Sequence, residues 1–380
     1  MLEKNHYIQK SLLNNFATRG NKGIYKICVL DLYGFSATFR STAKAFYEKN
    51  LYDVASDDDK ELEKKFNERV EKPMNELRRR LMNANKTVTV SRRELNIIKK
   101  YLLLQIYRTP GNRLSYTNPK QNSFELSQYN ICEGESKEDF WKREMLSIID
   151  TDWEELANTE MVGIKKHYER IQNESFLLFV NTKQEFCIND RGFVAERLPV
   201  TIPKEMHEKY IQSAKEYGKQ KYGVDNFDEM ARKEIENQTS YIENFMMFPI
   251  SSELAILAVN TLWKFWYLNC LPPQLPSYIL LNHMSFPTHD YVNKANIRTD
   301  EDIVKYKTLD DKFTYTIHTL SEMETEEVNH LMMNEAGHYL GLKTPSMFLK
   351  TIKDYNENKY HMINMHNNYS GFVELLSKLS

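Results

Sequence analysis

Four polar side chains stand in apolar stretches of this sequence, and their types suit acid–base or phosphate chemistry: His6, Gln105, Arg108 and Asp190. His6 opens the motif HYIQKSLLNNF, and a neutral imidazole can give or take a proton near pH 7. A histidine beside apolar residues is more often a packing residue. The sequence therefore offers His6 as an acid, a base or a ligand, with a structural role as the alternative.

Arg108 ends an apolar helical pattern that follows the capping-box sequence SRRE at 91–94. Tyr101, Gln105 and Arg108 are spaced four and three residues apart, so a helix places them on one face. The apolar residues around them predict a buried helix, in which an arginine needs a carboxylate or several carbonyls as partners. Arg108 is either an anion or phosphate clamp, or a structural cap that ties down the helix end or a loop.

Asp190 follows the predicted strand EFCIN and lies two residues before Gly192. A strand fixes a carboxylate at its end while the next loop admits substrate, which suits a metal ligand or a general base. Aspartate and glycine are also common turn residues. A catalytic role and a turn-forming role both remain open for Asp190.

Two Glu-x-x-His patterns, Glu327/His330 and Glu335/His338, occur in one predicted helix. The histidines are eight residues apart, about 12 Å along a helix axis. They cannot share an ion without a matching partner helix, and no second matching pair occurs elsewhere in the sequence. We therefore predict no metal-ligating residue, although a divalent metal stays open as a cofactor.

The acidic run IIDTDWEEL at 148–156 resembles the carboxylate clusters of two-metal nucleases. The same pattern is typical of a helix start, with Asp152 as the cap and the glutamates at the positive end of the dipole. We predict the helix start. The sequence contains no P-loop, no Gly-x-Ser-x-Gly, no dinucleotide fingerprint and no zinc-type cysteine spacing.

The composition is that of an ordinary globular protein, with 41% hydrophobic and 27% charged residues among 380. A net charge of −2 excludes a general attraction to nucleic acid but allows a local basic groove. The four cysteines are far apart, which predicts reduced thiols. Lys264 interrupts the most apolar stretch, 254–271, and the start of the chain lacks an apolar targeting segment. We expect no membrane span and a cytoplasmic location.

Periodicity predicts a helix-rich α+β fold with a central mixed or antiparallel sheet built from distant segments. We expect one domain over 1–380, with a charged, mostly helical stretch at 203–245. Earlier in the chain, Pro73 is expected to kink or split a helix. The other expected segments are a helical part at about 56–172, sheet-forming segments at 24–32, 176–190, 246–260 and 313–319, and a C-terminal helix at about 322–340.

Four short motifs occur in an order that resembles a large, mainly prokaryotic family catalogued as domain of unknown function 4238. The motifs are HYI…LLNNF at 6–16, LLLQIYRTP at 102–110, FCINDRG at 186–192 and FPIS at 248–251. The resemblance covers almost the whole chain.

This sequence departs from the family pattern in two places. Gln9 stands where the family usually has a proline, and Asp190-Arg191-Gly192 stands where the family has Asp-Asn-Pro. The loss of the second proline is expected to loosen the loop that holds Asp190 and to weaken any activity there.

The resemblance implies that His6, Gln105, Arg108 and Asp190 are motif residues that converge in space. We expect the side chains of His6, Arg108 and Asp190 to lie within about 10 Å of one another, the range over which charges interact. Catalysis is assigned to these three residues. Substrate binding is assigned to Gln105, Tyr101, Asn14 and Asn15.

Two functions follow from such a pocket. The first is a nuclease-like or phosphate-directed hydrolase that acts on nucleic acid or a nucleotide, with a role as an effector in bacterial defence or conflict. The alternative is a non-catalytic binding or regulatory module, in which the same residues form a buried network. A cleft that exposes the three residues beside lysines or arginines favours the enzyme, and their full burial favours the module.

Overall fold

A computed structural model of the chain describes residues 4–49, 51–52, 59–117, 131–200, 240–261, 285–357 and 368–380. Its helices are α1 (Lys10–Leu13), α2 (Asp59–Lys65), α3 (Lys72–Met82), α4 (Arg92–Tyr107), α5 (Pro110–Thr117), α6 (Lys137–Asp150), α7 (Val162–Gln172), α8 (Asp300–Tyr306), α9 (Glu322–Asn334), α10 (Pro345–Asn356) and α11 (Phe372–Leu379). Its strands are β1 (Lys4–His6), β2 (Thr18–Arg19), β3 (Tyr25–Asp31), β4 (Ser36–Ser41), β5 (Tyr47–Lys49), β6 (Thr87–Ser91), β7 (Ser175–Thr182), β8 (Ile188–Asn189), β9 (Val194–Val200), β10 (Ser240–Pro249), β11 (Leu254–Asn260), β12 (Thr288–Asp290), β13 (Lys312–Leu320) and β14 (Tyr339–Leu342).

The larger sheet has the strand order β12-β13-β7-β11-β10-β9, and β6 pairs with β13 on the edge opposite β12. The β13–β7 pair is parallel, whereas the other pairs are antiparallel. Leu254–Val259 of β11 are buried on both faces, as expected for a central strand covered on both sides. The sheet is therefore mixed and joins segments that are far apart in the chain.

A second sheet carries the parts of the chain discussed below as the candidate site. Its order is β2-β3-β14-β8, with β4 also paired to β3, and all its pairs are antiparallel. Beside it, β1 pairs with β5 in a separate two-stranded ribbon. The long helix α4 contacts α3, α6 and α7 and buries most of its second half. Its C-terminus approaches the N-terminal strand.

The structure confirms the predicted α+β class with a mixed sheet built from distant segments. All four predicted sheet segments contain strands, and both predicted capping boxes form, at Ser91/Glu94 and at Ser321/Glu324. In the described residues, no helix is long and apolar enough to cross a membrane. The assignment of the whole chain to one domain stays a prediction.

Several predicted boundaries are wrong. The segment Thr87–Ser91 within the predicted helical part is strand β6, because its alternating β-branched residues pair with β13. The C-terminal helix ends at Asn334, and Tyr339–Leu342 form β14 between β3 and β8. Residues 240–245 are strand rather than helix. The predicted helix at 203–239 lies outside the described residues.

The prediction made from the local sequence is correct around Pro73 and wrong around Asp152. Before Pro73 the helix is split by a π-helical segment, Phe66–Glu71, as expected because proline lacks the N–H that continues a helix. Asp152 does not cap a helix, since its carbonyl accepts the N–H groups of a single turn at Glu155–Asn158. The next helix, α7, begins at Val162.

Candidate functional site

Arg108 follows the last residue of α4 and is buried, with 2% of its surface exposed. Its Nη1 donates to Glu71 Oε1 at 2.7 Å, its Nε donates to the Tyr52 hydroxyl at 3.3 Å, and its Nη2 donates to the His6 carbonyl. Burial opposes the charge, but Tyr52 and Glu71 outweigh it and raise the pKa of Arg108. These contacts match the structural alternative, in which Arg108 ties a helix end to another segment.

His6 lies on β1 opposite Tyr47 of β5, with the two ring centroids 6.0 Å apart. Burial and the charge of Arg108 lower the pKa of His6, although a backbone hydrogen bond at Thr42 opposes this. Its Nε2 has no hydrogen-bond partner among the described residues. The structure thus joins His6 to Arg108 through the His6 carbonyl, not through the imidazole.

Gln105 connects the N-terminal segment to the loop after Asp190. Its Nε2 donates to the carbonyls of Tyr7 at 3.3 Å and Arg191 at 3.1 Å, and the residue is 1% exposed. Tyr101, one turn earlier, is also buried and lies against Arg78, whose guanidinium carbon is 5.9 Å from the ring centroid. Both side chains therefore contact protein groups, and their predicted substrate-binding role stays a prediction.

The other two predicted substrate-binding residues also contact protein groups. Asn14 accepts a hydrogen bond from the Thr42 hydroxyl at 2.7 Å, and Asn15 donates to the Ile250 carbonyl at 3.1 Å. Gln9, the first departure from the family pattern, is 2% exposed and accepts a hydrogen bond from Arg78 at 2.8 Å. The amides of the opening motif thus anchor the N-terminal segment to distant parts of the chain.

The Asp190 carboxylate forms hydrogen bonds with a different segment of the chain from the one that the Arg108 guanidinium contacts. Its carboxylate accepts the backbone N–H groups of Gly337 at 2.9 Å and His338 at 2.7 Å. Burial raises the pKa of Asp190, although these two hydrogen bonds oppose the effect. The structure therefore brings His6 and Arg108 together and links them to the Asp190 loop through Gln105, without a contact of the three side chains among the described residues. Catalysis by these three residues stays a prediction.

The turn after Asp190 is well anchored, which corrects the expectation of a loosened loop. The Asn189 side-chain oxygen accepts the N–H groups of Arg191 and Gly192, each at 3.1 Å, and Asn189 is fully buried. Gly192 has φ +72°, which proline cannot adopt. The glycine therefore builds a different turn from the one a proline would build, because it supplies both the conformation and the N–H donor.

Gly192→Ala is expected to reduce the free energy of unfolding by about 2–5 kcal/mol, through backbone strain and overlap. A Cβ at this position would lie 2.7 Å from Ile8 Cδ1 and 2.8 Å from Gln105 Nε2. Gly134→Ala is the matched control, because Gly134 has φ +80° but no atom within 4 Å of its added Cβ. Urea unfolding of both variants measures the difference, and equal losses would contradict the close packing at Gly192.

The two Glu-x-x-His patterns have no common site. His330 is buried and its Nε2 lies 3.1 Å from the Thr351 carbonyl, whereas His338 lies after α9 and contacts Asp31. Burial lowers the pKa of His330 to about 4. Among the described residues, no group of three or more histidine, cysteine, aspartate or glutamate side chains is arranged to hold a metal ion.

A basic groove of about 1010 Å3 runs along β3, β4, β5 and β14. Four cationic side chains line this basic groove: Lys26, Arg40, Lys44 and Lys49. The three lysines are exposed and form no ion pair with a carboxylate of the described residues. Glu48 is the acidic residue of the lining, and Arg113 pairs with it at 3.1 Å. The groove therefore concentrates positive charge in a chain whose net charge is −2.

Aromatic rings lie between these cations. Phe39 lines the groove with 40% of its surface exposed, and Phe46, Tyr47 and Tyr339 line it as well. His6 pairs with Tyr47 and so lies behind one wall of the groove. The run FRSTAKAFYEK at 39–49, which contains three aromatic and three basic residues, is the sequence signal that could have indicated this surface.

A histidine–aspartate pair lies beside the basic groove. His338 Nε2 is 3.1 Å from Asp31 Oδ1, and the His338 side chain is 41% exposed. The His338 ring stacks on Tyr339, with centroids 4.0 Å apart, and Arg40 lies 3.6 Å from Asp31. Tyr339 and Arg40 both line the groove, so they connect it to the pair.

Asp31 is ionised more readily than an ordinary aspartate. Its burial raises the pKa, but the N–H of Gly34 and the neighbouring His338 and Arg40 outweigh this and lower it overall. A carboxylate in this state can orient the His338 ring through Nε2 and leave Nδ1 for other partners. The Glu-x-x-His pattern offers His338 only as a metal ligand, and no local pattern indicates this pair, because Asp31 is 307 residues away.

The fold and this surface define an α+β protein with a basic, aromatic-lined groove next to a histidine–aspartate pair. The chain belongs to the family described as protein of unknown function (DUF4238), whose model matches residues 4–341. No curated protein and no solved structure matches the chain.

Proposed function

We propose that this protein binds single-stranded nucleic acid in the basic groove. The observation that carries the proposal is that Lys26, Lys44 and Lys49 are exposed and form no ion pair with a carboxylate of the described residues. They line the groove together with the exposed ring of Phe39. Lysines attract the phosphate backbone, and exposed rings stack on unpaired bases. This combination favours a single strand over a duplex, whose bases are already stacked.

The groove also suits a nucleotide, which offers the same phosphate and base chemistry. Its large volume and open rim support the longer ligand, because several cations along a groove can contact successive phosphates. Arg40, the fourth cation of the groove, lies 3.6 Å from Asp31 and can contact a phosphate at that end. A mononucleotide that competes with the strand would report binding at the same place.

Removal of the three lysine charges is expected to weaken binding at least about tenfold. The variant is Lys26→Gln/Lys44→Gln/Lys49→Gln, measured by fluorescence anisotropy with labelled DNA and RNA oligonucleotides at several salt concentrations. The slope of log affinity against log salt should fall in magnitude by about 2, because each single-strand phosphate contact contributes about 0.7. A hairpin duplex tests the preference for single strands.

The control removes the same number of charges from exposed lysines outside the groove, as Lys86→Gln/Lys165→Gln/Lys294→Gln. This variant has the same net charge as the first, so a general charge effect would weaken both variants equally. Equal weakening, or no binding by the native protein, would overturn the proposal.

Phosphate-directed hydrolysis is the second candidate function, supported by the His338–Asp31 pair at the edge of the groove. His338 would accept a proton from water as the water oxygen attacks phosphorus, and the bond from phosphorus to the leaving oxygen would break. The proton would then pass from His338 to that leaving oxygen. Arg40, which lies 3.6 Å from Asp31, would stabilise the charge that develops on the phosphate.

The remaining sequence-based expectations stay proposals of the same kind. They are a cytoplasmic location, a divalent metal as cofactor and a role in bacterial defence. The hydrolysis assay described below includes divalent ions and EDTA, so that it tests the cofactor together with the reaction.

A further inference from the structure

A second, smaller cavity lies against α4 and is separate from the basic groove. It has a volume of about 260 Å3 and shares no lining residue with the groove. Residues of α4, α7, β7 and β13 line it, together with Phe286, Pro287 and His289. Its volume is just below the roughly 300–1,000 Å3 of drug-sized ligand sites, so it suits a small ligand.

Lys99 is the cation of this cavity that no carboxylate of the described residues pairs with. Its Nζ donates to Gln172 Oε1 at 2.9 Å, and the same oxygen accepts the Trp153 indole N–H at 2.8 Å. A half-buried ammonium group whose one hydrogen-bond partner is a shared amide oxygen has donor capacity left over. It is therefore suited to an anion that enters the cavity.

The other two cations of the lining are already paired. Arg92 lies 3.0 Å from Asp311, and Lys307 lies 2.8 Å from Glu154. These pairs keep their own charge balanced, so Lys99 is the group that would gain most from a ligand anion.

The walls of the cavity are aromatic. Phe176 and Phe286 are packed together with ring centroids 4.7 Å apart and ring planes tilted by 54°, and Phe313 lies edge-on to His289 at 5.1 Å. Tyr315 of β13 also lines the cavity. Aromatic walls of this kind favour a planar ring over an aliphatic chain, because ring faces and edges can then contact one another.

We infer that this cavity binds a small planar anion, an aromatic ring that carries one carboxylate or one phosphate group. The anionic group contacts Lys99 Nζ, and the ring lies among Phe176, Phe313 and Tyr315. Because the cavity and the groove are lined by different residues, this inference does not depend on the proposed nucleic-acid binding.

The electrostatics of Lys99 agree with this geometry. Burial, together with the charges of Arg92 and Lys307, lowers the pKa of Lys99 to about 8, although Glu154 opposes the change. A bound anion would stabilise the protonated form and raise this pKa. Anion binding should therefore weaken as the pH rises through the pKa of Lys99, because the ammonium group loses its proton.

The probes are benzoate and phenyl phosphate, with benzyl alcohol as the neutral comparison, measured by ligand-observed NMR and calorimetry. We expect both anions to bind and benzyl alcohol to bind at least about tenfold more weakly, since it lacks the charge. Comparison of the two anions identifies the preferred group. Lys99→Met should reduce the affinity for the anions at least about tenfold, whereas Lys165→Met, which removes an exposed lysine outside the cavity, should not change it.

A pH comparison on the native protein avoids any effect of the substitution on folding. Affinity for benzoate should fall between about pH 7 and about pH 9.5. Burial lowers the pKa of His289 and raises that of Tyr315, so neither accounts for a change in this range. The other titratable groups that line the cavity are Arg92, Glu154, His289, Lys307 and Tyr315. Equal binding of the anions and benzyl alcohol, or unchanged affinity in Lys99→Met and at high pH, would overturn the inference.

Discussion

Arg108→Ala is expected to lower the free energy of unfolding by about 3–5 kcal/mol. The substitution leaves the Glu71 carboxylate, whose side chain is 14% exposed, without its cationic partner. It also removes a donor from the His6 carbonyl and from the Tyr52 hydroxyl, and it removes the guanidinium that lies 4.8 Å from the Phe66 ring centroid. Urea unfolding followed by circular dichroism measures the loss.

Arg93→Ala is the matched control because Arg93 lies on the same helix, α4, with 62% of its side chain exposed. Its nearest carboxylate, on Asp310, is 3.9 Å away and is 79% exposed, so this substitution should change stability by about 0.5 kcal/mol or less. A second variant, Glu71→Gln/Arg108→Met, removes both charges and should recover part of the loss. Similar small effects for Arg108→Ala and Arg93→Ala would show that the Arg108 network does not stabilise the fold.

His338→Gln is expected to reduce hydrolysis of a phosphodiester or nucleotide by about 10²–10⁴-fold, the range for loss of a general acid–base group. The affinity for the oligonucleotide should stay within about twofold of the native value. His338 does not line the groove that contains Lys26, Lys44 and Lys49, and glutamine keeps a polar side chain. Asp31→Asn should reduce the rate as well, since the carboxylate that orients the His338 ring loses its charge. The assay uses RNA, single-stranded DNA, duplex DNA and nucleotides with several divalent ions or EDTA.

His318→Gln is the control for this experiment, because it removes a half-buried histidine on β13 that does not line the groove. It should leave the rate unchanged. If the native protein binds oligonucleotides and hydrolyses none of the substrates, the hydrolase proposal fails and the binding proposal stands. Full activity in His338→Gln would exclude His338 as the general base. His6 would then be the candidate general base to test.

Short-range patterns predicted much of the secondary structure correctly. The capping boxes at Ser91 and Ser321 and the helix split before Pro73 depend on residues within one or two turns, so the sequence states them directly. Strand β6 and strand β14 were missed for the opposite reason. Each is short, and each is stabilised by a strand more than 100 residues away, β13 for the first and β3 and β8 for the second.

The contacts of the candidate site likewise divide into those that the local sequence indicates and those that it does not. The sequence indicated that Arg108 is buried and needs a partner, but the partners proved to be Glu71 and the carbonyl of His6, and a backbone carbonyl leaves no signal in a sequence. The carboxylate of Asp190 likewise binds two backbone N–H groups rather than another motif residue. The catalytic role of these motif residues therefore stays a prediction, and several of their hydrogen-bond partners are backbone groups that the sequence does not specify.

By itself, the sequence determined the fold class, the family and the burial of the helix that carries Arg108, because hydrophobic periodicity, caps and motif order are local properties of the chain. The tertiary structure alone decided which charges meet. Asp31 and His338 become neighbours because β3 pairs with β14. This long-range strand pairing brings the two residues together, and no local pattern specifies it.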